Sequence, residues 1–265
     1  MCIRDRWFSA QIPGKANPEN IDLGDDIKVL DIQRHHKKLR RGQLEGNRFS
    51  IIVRDVEGNT DLLEKTVESV RTSGVPNYFG EQRFGRDFGN LEKCLNMFAR
   101  KYKPRNRDER GLLISTARSY LFNRVVSERI EKGLWSEIIP GDVMNLDGSQ
   151  SVFVPDHIND ELRQRLSSGD VHITGPLFGV GESMVSDQAM KLEREIFTQN
   201  PEYTEGLEKL KVKAARRSMR LIPKEMHFEW LDTKTLRLEF SLPAGAYATS
   251  VLRELVDYTV AQPAT

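Results

Sequence analysis

The sequence predicts an α/β protein of the mixed α+β type, in which a mixed, largely antiparallel sheet domain is interrupted by a mostly helical α/β domain. Strand-like segments lie near both ends of the chain, and helical patterns dominate the middle. Because the two ends supply these strands, we expect residues 1–73 and 222–265 to form one domain around a sheet. Residues 74–221 then form a second domain that is inserted into the first.

The first part of the chain contains two predicted strands and one predicted helix. Residues 27–33 are mostly apolar and contain Ile and Val, which is typical of a strand. Residues 49–54 largely alternate between apolar and polar side chains, which predicts a second strand. Asn59 or Thr60 caps a helix that ends at Gly74. The apolar face of this helix carries Leu62, Leu63, Val67 and Val70.

The middle of the chain is predicted to be mainly helical. Asn90 begins one helix, and a basic, proline-bearing linker follows at residues 101–110. A long helix is predicted over residues 111–132. Short strands and glycine turns are expected over residues 135–181, and helices resume over residues 186–213.

The last part of the chain predicts a hairpin and a helix. Residues 226–230 and 235–240 are strand-like and flank the turn sequence Asp-Thr-Lys. The side chains expected to face the core are Phe228, Trp230, Leu236, Leu238 and Phe240. Residues 247–260 close the chain as a helix.

Composition excludes several classes of protein. The chain has 265 residues, of which 38% are hydrophobic and 30% are charged, and it has no apolar run long enough to span a bilayer. Its two cysteines, Cys2 and Cys94, cannot build a disulfide framework or a zinc cluster. We therefore expect a cytoplasmic protein with no membrane segment and no metal.

The net charge of +1 hides an uneven distribution. Residues 34–41 contain five Lys or Arg and two His with no acidic residue, and residues 211–220 form a second run without acids. Such patches on a nearly neutral protein indicate that one face binds a polyanion. A solvated charged surface is the alternative.

Residues 74–85 combine three glycines with aromatic rings and polar donors. The donors of fixed geometry are Asn77, Gln82 and Arg83, and the flat faces come from Tyr78, Phe79 and Phe84. This mixture suits the binding of an unstacked base and its phosphates. The alternative is a glycine-punctuated turn whose aromatic residues belong to the core.

This segment also carries a family resemblance. Residues 77–85, Asn-Tyr-Phe-Gly-Glu-Gln-Arg-Phe-Gly, resemble the signature of the D family of tRNA pseudouridine synthases. Residues 34–49 and 242–254 resemble two further motifs of that family in the expected order, and residues 115–123 and 213–217 are weaker matches. The likeness extends from residue 7 to about residue 256.

The resemblance implies an enzyme that isomerises uridine to pseudouridine at position 13 of tRNA. It implies the same fold, a catalytic sheet domain with a family-specific insertion, and a reaction that needs no cofactor and no metal. The expected partner is tRNA, and the protein is expected to be a monomer. The residues expected to bind RNA are Arg34, His35, His36, Lys37, Lys38, Arg40, Arg41, Arg216 and Arg217.

The resemblance also implies a pocket for the target base. Phe49 occupies the stacking position of a Gly-Asn-x-Phe motif, although as a strand residue it could instead face the core. Asn47 would hold the base edge or shape the loop, and a turn asparagine is its alternative. Arg83 would pair with a phosphate or with the catalytic aspartate. The full pocket set is Asn47, Phe49, Asn77, Tyr78, Phe79, Gln82 and Arg83.

The catalytic aspartate of the family has no counterpart in the printed sequence. Counted back from Trp7, it falls just ahead of Met1, and Asp5 lies too close to the following strand to replace it. Residues 1–6 resemble nothing in the family and are interpreted as linker sequence. We therefore expect a truncated reading frame whose product is inactive. The alternative is a module that binds structured RNA without catalysis.

Overall fold

The computed structural model describes residues 8–13, 24, 28–40 and 44–259. It divides the chain into two compact units, residues 1–45 with 260–265 and Gly46–Thr259. The predicted strand at residues 27–33 is wrong over residues 28–33, which have no regular secondary structure; Ile27 lies outside the described residues. Val29, Leu30 and Ile32 are exposed. Strand propensity reflects packing on a pleated, half-buried surface, so these side chains alone do not make a strand.

All helices and strands of the described residues lie in the second unit. In chain order they are β1 (Gly46–Val53), α1 (Thr60–Ser73), β2 (Val75–Pro76), α2 (Gly89–Phe98), α3 (Arg107–Glu131), β3 (Met144–Leu146), β4 (Val152–Phe153), α4 (Asp160–Ser168), β5 (Val171–Leu177), α5 (Asp187–Thr198), α6 (Pro201–Lys209), β6 (Ala215–Ser218), β7 (Arg220–Leu221), β8 (Lys224–Trp230), β9 (Leu236–Pro243) and α7 (Ala248–Leu255). Short 3₁₀ turns cover Glu81–Arg83 and Arg86–Phe88. The mixture of helices and antiparallel strands confirms the predicted fold class.

An antiparallel sheet of order β1-β9-β8 joins the two ends of this unit. The predicted hairpin is confirmed, and Leu236, Leu238 and Phe240 are buried as expected. Phe228, however, is 38% exposed, because β8 is an edge strand of this sheet. Met226 is buried two residues earlier on the same strand.

Helices α1 and α7 contact each other and contribute to the core of this sheet. The Asn59 side chain accepts a hydrogen bond from the Leu62 backbone N–H at 3.0 Å and caps α1 as predicted. Leu62 itself faces solvent. The helix ends at Gly74, whose φ of 76° favours glycine; a Cβ there would lie 2.6 Å from the Leu221 carbonyl oxygen.

A second core surrounds the four-stranded sheet β4-β3-β5-β6 and includes residues of α3, α4 and α5. Helix α3 begins four residues earlier than predicted, because Asn106 caps it through the Glu109 N–H at 2.8 Å. Helix α4 was not predicted, although Asn159 caps it and Gly169 ends it at a φ of 82°. The expected helices within residues 186–213 are confirmed as α5 and α6.

The residues of both cores belong to one compact unit, so the division into residues 1–73 with 222–265 and 74–221 remains a prediction. Two short strands, β2 and β7, pair with each other. Strand β2 directly follows α1, which contributes to the first core, and β7 directly follows β6 of the four-stranded sheet. Within the described residues, no helix has the length and apolar character required to cross a bilayer.

Candidate functional site

Three sequence motifs that lie far apart in the chain meet at one place in the second unit. Strand β1 runs beside β9, and Gly46 packs so closely on Leu242 that a Cβ would collide with its carbonyl oxygen. After β9 the chain reaches Tyr247, whose hydroxyl accepts a hydrogen bond from Arg83 Nε at 3.0 Å. Tyr247 thereby connects residues 74–85 to the segment that follows β9, and the end of β9 pairs with the beginning of β1.

Phe79 lies at the centre of this junction. Its buried ring makes edge-to-face contacts with Phe122 and Tyr247, with centroids 5.5 and 6.0 Å away. The Asn123 side chain fixes the backbone of Phe79 by accepting from its N–H and donating to its carbonyl oxygen, both at 2.9 Å. Asn123 lies in a weakly matched segment and was not predicted as a site residue. Its place within residues 115–123, a segment that resembles the family, is the signal in the sequence that could have suggested it.

Arg217 stacks on the same ring. Its guanidinium carbon lies 4.3 Å from the Phe79 centroid, and that of Arg83 lies 5.6 Å from it. Arg217 Nη2 donates to Asn77 Oδ1 at 2.7 Å and to the Gly245 carbonyl oxygen at 3.1 Å. Two guanidinium groups therefore share one aromatic ring.

The junction carries excess positive charge. Within the described part of the chain, neither Arg83 nor Arg217 forms an ion pair with an acidic side chain. Burial, together with a smaller effect of nearby Arg83, lowers the pKa of Arg217 to about 10, so it remains protonated at neutral pH. Arg217 Nε and Thr249 Oγ1 are buried with no hydrogen-bond partner among the described residues. Such a site suits a phosphate or a carboxylate.

Asn77 is a buried anchor of the segment. Besides accepting from Arg217, its side chain donates to the Ser218 carbonyl oxygen at 2.8 Å, and its backbone N–H donates to Met219 at 2.9 Å. These bonds hold residues 74–85 to Ser218, which is the last residue of β6, and to Met219, which follows it. A direct contact between Asn77 and RNA remains a prediction, and the geometry favours a positioning role.

The neighbouring motif residues have different surroundings. The Tyr78 hydroxyl lies 3.1 Å from Ser127 Oγ, and its ring packs 4.9 Å from the Arg253 guanidinium. Burial raises the pKa of Tyr78, so it stays neutral. Gln82 is exposed on the 3₁₀ turn. Its side chain is therefore accessible to a ligand.

Asn47 and Phe49 lie on the same face of β1, and this is the face that packs on the core. Phe49 is half-buried and its ring centroid lies 5.6 Å from that of Phe240, the residue opposite it on β9. Asn47 lies opposite Leu242 and is exposed at the rim. Phe49 thus packs on the core and keeps an exposed part, which agrees with either of its predicted roles.

Arg216 and Arg217 were predicted together as RNA-binding residues, but they have different environments. The Arg216 side chain is 9% exposed, pairs with the Glu193 carboxylate at 2.8 Å and donates from Nε to Thr174 Oγ1 at 3.0 Å. Burial raises the pKa of Glu193, and Arg216 opposes this change. Arg216 therefore connects β6 to α5 and β5, and its contact with RNA remains a prediction.

The basic run at residues 34–40 lies in the first unit. Arg34, Lys37, Lys38 and Arg40 are exposed, and the rings of His35 and His36 stack with centroids 4.7 Å apart. Arg41 lies outside the described residues. The role of this run in RNA binding remains a prediction.

A cleft with a volume of about 250 Å³ is lined by Phe178, Phe197, Met190 and the predicted RNA-binding residue Arg216, among others. It contains none of the three motifs. Among the described residues, no three His, Cys, Asp or Glu side chains are placed to hold a metal ion.

Comparisons with known proteins identify the family. The family model of tRNA pseudouridine synthase D matches residues 3–92 and 105–255, and so includes part of the segment 1–6 that was interpreted as linker. A tRNA pseudouridine synthase D from Hydrogenovibrio crunogenus is 43% identical over 257 residues, which cover 96% of this chain and 74% of that protein. One from Methylococcus capsulatus is 42% identical and covers 97% of this chain and 73% of its own length.

A solved structure supports the fold. A crystal structure of a tRNA pseudouridine synthase D from Methanosarcina mazei superimposes with a TM-score of 0.63 at 24% identity, over 89% of this chain and 74% of that chain. The matches place the chain among the pseudouridine synthases, a class of isomerases. Within that class, it belongs to the tRNA pseudouridine synthase D family.

Proposed function

We propose that the chain forms the RNA-binding surface and target-base pocket of an enzyme that isomerises uridine 13 of tRNA to pseudouridine. The observation that carries the proposal is the junction of three motifs around the stack of Arg217 on Phe79. Two guanidinium groups meet there without an acidic partner among the described residues. The choice of uridine 13 follows from the family resemblance.

The reaction rearranges one nucleotide without a net gain or loss of atoms. The bond between uracil N1 and sugar C1′ breaks, a bond between C5 and C1′ forms, C5 loses a proton and N1 gains one. A carboxylate is needed as nucleophile or base on the sugar, together with a surface that holds the detached ring. A paired uridine must also leave its stack, which costs a few kcal/mol.

Phe49 and Asn47 are proposed to receive the base. The exposed part of the Phe49 ring lies on the same strand face as Asn47, two residues away. Stacking of a base on an aromatic side chain contributes about 1–3 kcal/mol. Packing on Phe240 keeps the Phe49 ring in place, which lowers the entropic cost of binding.

Arg83 and Arg217 are proposed to bind an anionic group beside the base. Their excess charge fits either an RNA phosphate or the carboxylate of the nucleophile. Tyr247 and Asn77 orient the two guanidinium groups through the hydrogen bonds described above.

The reaction also needs a carboxylate as nucleophile or base, and none of the residues named above is proposed for that role. We expect binding and reaction to take place in the cytoplasm, with the protein as a monomer that needs no cofactor and no metal.

Release of tritium from tRNA labelled at uridine C5 tests the proposal. We would compare residues 1–265 with a chain extended at its start by the corresponding segment of the Hydrogenovibrio protein. Both chains should bind tRNA, and the extended chain should release tritium. Phe49→Ala in the extended chain should lower the rate by roughly 5- to 150-fold, from a stacking energy of about 1–3 kcal/mol.

Phe228→Ala provides a matched control, because Phe228 is a partly exposed phenylalanine on the opposite edge strand of the same sheet. Its rate should stay close to that of the parent chain. If the extended chain binds tRNA but never releases tritium, the enzyme proposal fails and a non-catalytic RNA-binding module is the better account.

A further inference from the structure

A second basic surface is formed by residues 100–110, which link α2 to α3 and include the first turn of α3; we name this segment the basic connector. Six of its eleven residues are basic and two are acidic, Asp108 and Glu109, so it carries four net positive charges. The basic residues are Arg100, Lys101, Lys103, Arg105, Arg107 and Arg110, and all six are exposed. Among the described residues, none of them forms an ion pair with an acidic side chain.

The connector has a fixed backbone. The Asn96 carbonyl oxygen accepts from the N–H groups of Lys101 and Tyr102, at 2.8 and 3.1 Å. The Glu109 carboxylate accepts from the Tyr102 hydroxyl and from the Arg105 N–H, both at 2.6 Å. Glu109 is therefore used to shape the connector. An ordered backbone that presents its charges in fixed positions loses less entropy when it binds.

The connector lies close to the motif junction along one rigid helix. Helix α3 begins at Arg107, and the Thr116 hydroxyl on the same helix donates to the Arg83 carbonyl oxygen at 3.2 Å. Nine residues of helix rise about 14 Å. RNA-binding domains contact up to about 16 base pairs of one RNA, so a separation of this size lets one RNA contact both the junction and the connector.

The family match does not extend through the whole connector. The family model matches residues 3–92 and 105–255, and residues 93–104 lie between the two matched segments. Arg100, Lys101 and Lys103 are therefore charges that the family match does not assign to a role.

We propose that the basic connector binds the phosphate backbone of the same tRNA whose uridine enters the pocket. This inference rests on the proposed function, because it needs tRNA at the motif junction. The phosphate contacts position the RNA and carry no base specificity. A charged surface that only faces solvent would contribute nothing to the salt dependence of binding.

The test compares two triple variants for binding of a tRNA transcript over a range of salt concentrations. The connector variant is Lys101→Ser, Lys103→Ser and Arg105→Ser, which keeps the Arg105 backbone bond to Glu109. The control variant is Lys65→Ser, Arg71→Ser and Lys234→Ser, which removes the same charge from exposed positions on α1 and in the β8–β9 turn. Thermal unfolding verifies that both variants are folded.

Each phosphate contact contributes about 0.7–0.9 to the slope of log affinity against log salt. The connector variant should therefore show a slope shallower by about 2 to 3, with affinity at low salt lowered at least about tenfold. The control variant should match the parent chain. Equal slopes for all three proteins, or equal losses in both variants, would overturn the inference.

Phe49→Ala separates this inference from the proposed function. Stacking releases no counterions, so that variant should bind more weakly with an unchanged salt slope. If only the connector result fails, the pocket stands and the connector is a solvated surface. If the parent chain binds no tRNA, the proposed function fails and the connector inference fails with it.

Discussion

Replacement of Arg217 by Met should weaken tRNA binding while changing stability little. The same replacement at Arg129 provides the comparison, because Arg129 is buried like most of the Arg217 side chain but has a carboxylate partner. Arg129 pairs with Asp142 at 2.7 and 2.9 Å, and the two side chains are 3% and 1% exposed. The two arginines thus differ in whether the protein itself supplies the counter-charge.

The expected stability change follows from two opposing contributions. Arg217→Met loses the bond to Asn77, which contributes about 1.5–3 kcal/mol, and the stacking on Phe79, which contributes about 1–2 kcal/mol. It also loses the bond to the Gly245 carbonyl oxygen, but Gly245 is exposed, so water replaces that bond at little cost. Burial of the charge acts in the opposite direction, since a pKa lowered to about 10 corresponds to roughly 3 kcal/mol of lost folding free energy. The net loss should not exceed about 2 kcal/mol.

Arg129→Met should be far more damaging. It leaves the Asp142 carboxylate buried without its cation, which costs about 3–5 kcal/mol. Urea denaturation measures both free energies of unfolding. The tRNA affinity of Arg217→Met should fall about tenfold or more, because a hydrogen bond to a charged group contributes about 1.5–3 kcal/mol.

Two results would refute this reasoning. If Arg217→Met lost as much stability as Arg129→Met, its guanidinium would be a structural group like that of Arg129. If it kept full tRNA affinity in the folded state, the excess charge at the junction would have no role in binding.

Two further predictions concern a glycine and a histidine. Gly80→Ala should lower stability by about 1–3 kcal/mol and weaken tRNA binding, because the new Cβ would lie 2.6 Å from Thr249 Oγ1 and 3.0 Å from Tyr247 Cδ1. Gly89→Ala, where a Cβ meets nothing within 4 Å, should leave both quantities unchanged in urea denaturation and binding assays. Burial lowers the pKa of His172 below its ordinary value of about 6.5, so the unfolded chain binds more protons than the folded one in this range. The free energy of unfolding should therefore fall as pH drops below about 6.5. His172→Gln should show a smaller decrease between pH 7.5 and 5.5, and an equal decrease would contradict the assignment.

Local signals predicted the elements whose ends are marked by caps. Helix α1 follows from the Asn59 cap and the Gly74 stop, and the β8–β9 hairpin follows from alternation around its turn. Helix α4 has the same kinds of end signals, but only Leu162 and Leu166 are buried on it. A short helix with two apolar contacts resembles a polar loop in sequence. Its formation depends on the core that it covers.

The motifs supplied the candidate site residues, and tertiary packing determines the surroundings of each one. Arg216 and Arg217 are adjacent in a basic run, yet successive side chains of a strand point to opposite faces. One therefore meets Glu193 and the other meets Phe79. The period of two could have separated them if β6 had been predicted as a strand. Nothing in the sequence places Glu193 opposite one of them.

The contrast among Arg129, Arg216 and Arg217 supports the proposal that the motif junction binds an anion. Arg129 and Arg216 each have a carboxylate partner within the described structure, so their charges are already neutralised. Arg217 has backbone and amide acceptors only, and its Nε lacks a partner among the described residues, as does Thr249 Oγ1. Because unpaired buried polar groups reduce the stability of a fold, their presence together with a second arginine supports the proposal that an external oxygen anion completes the site.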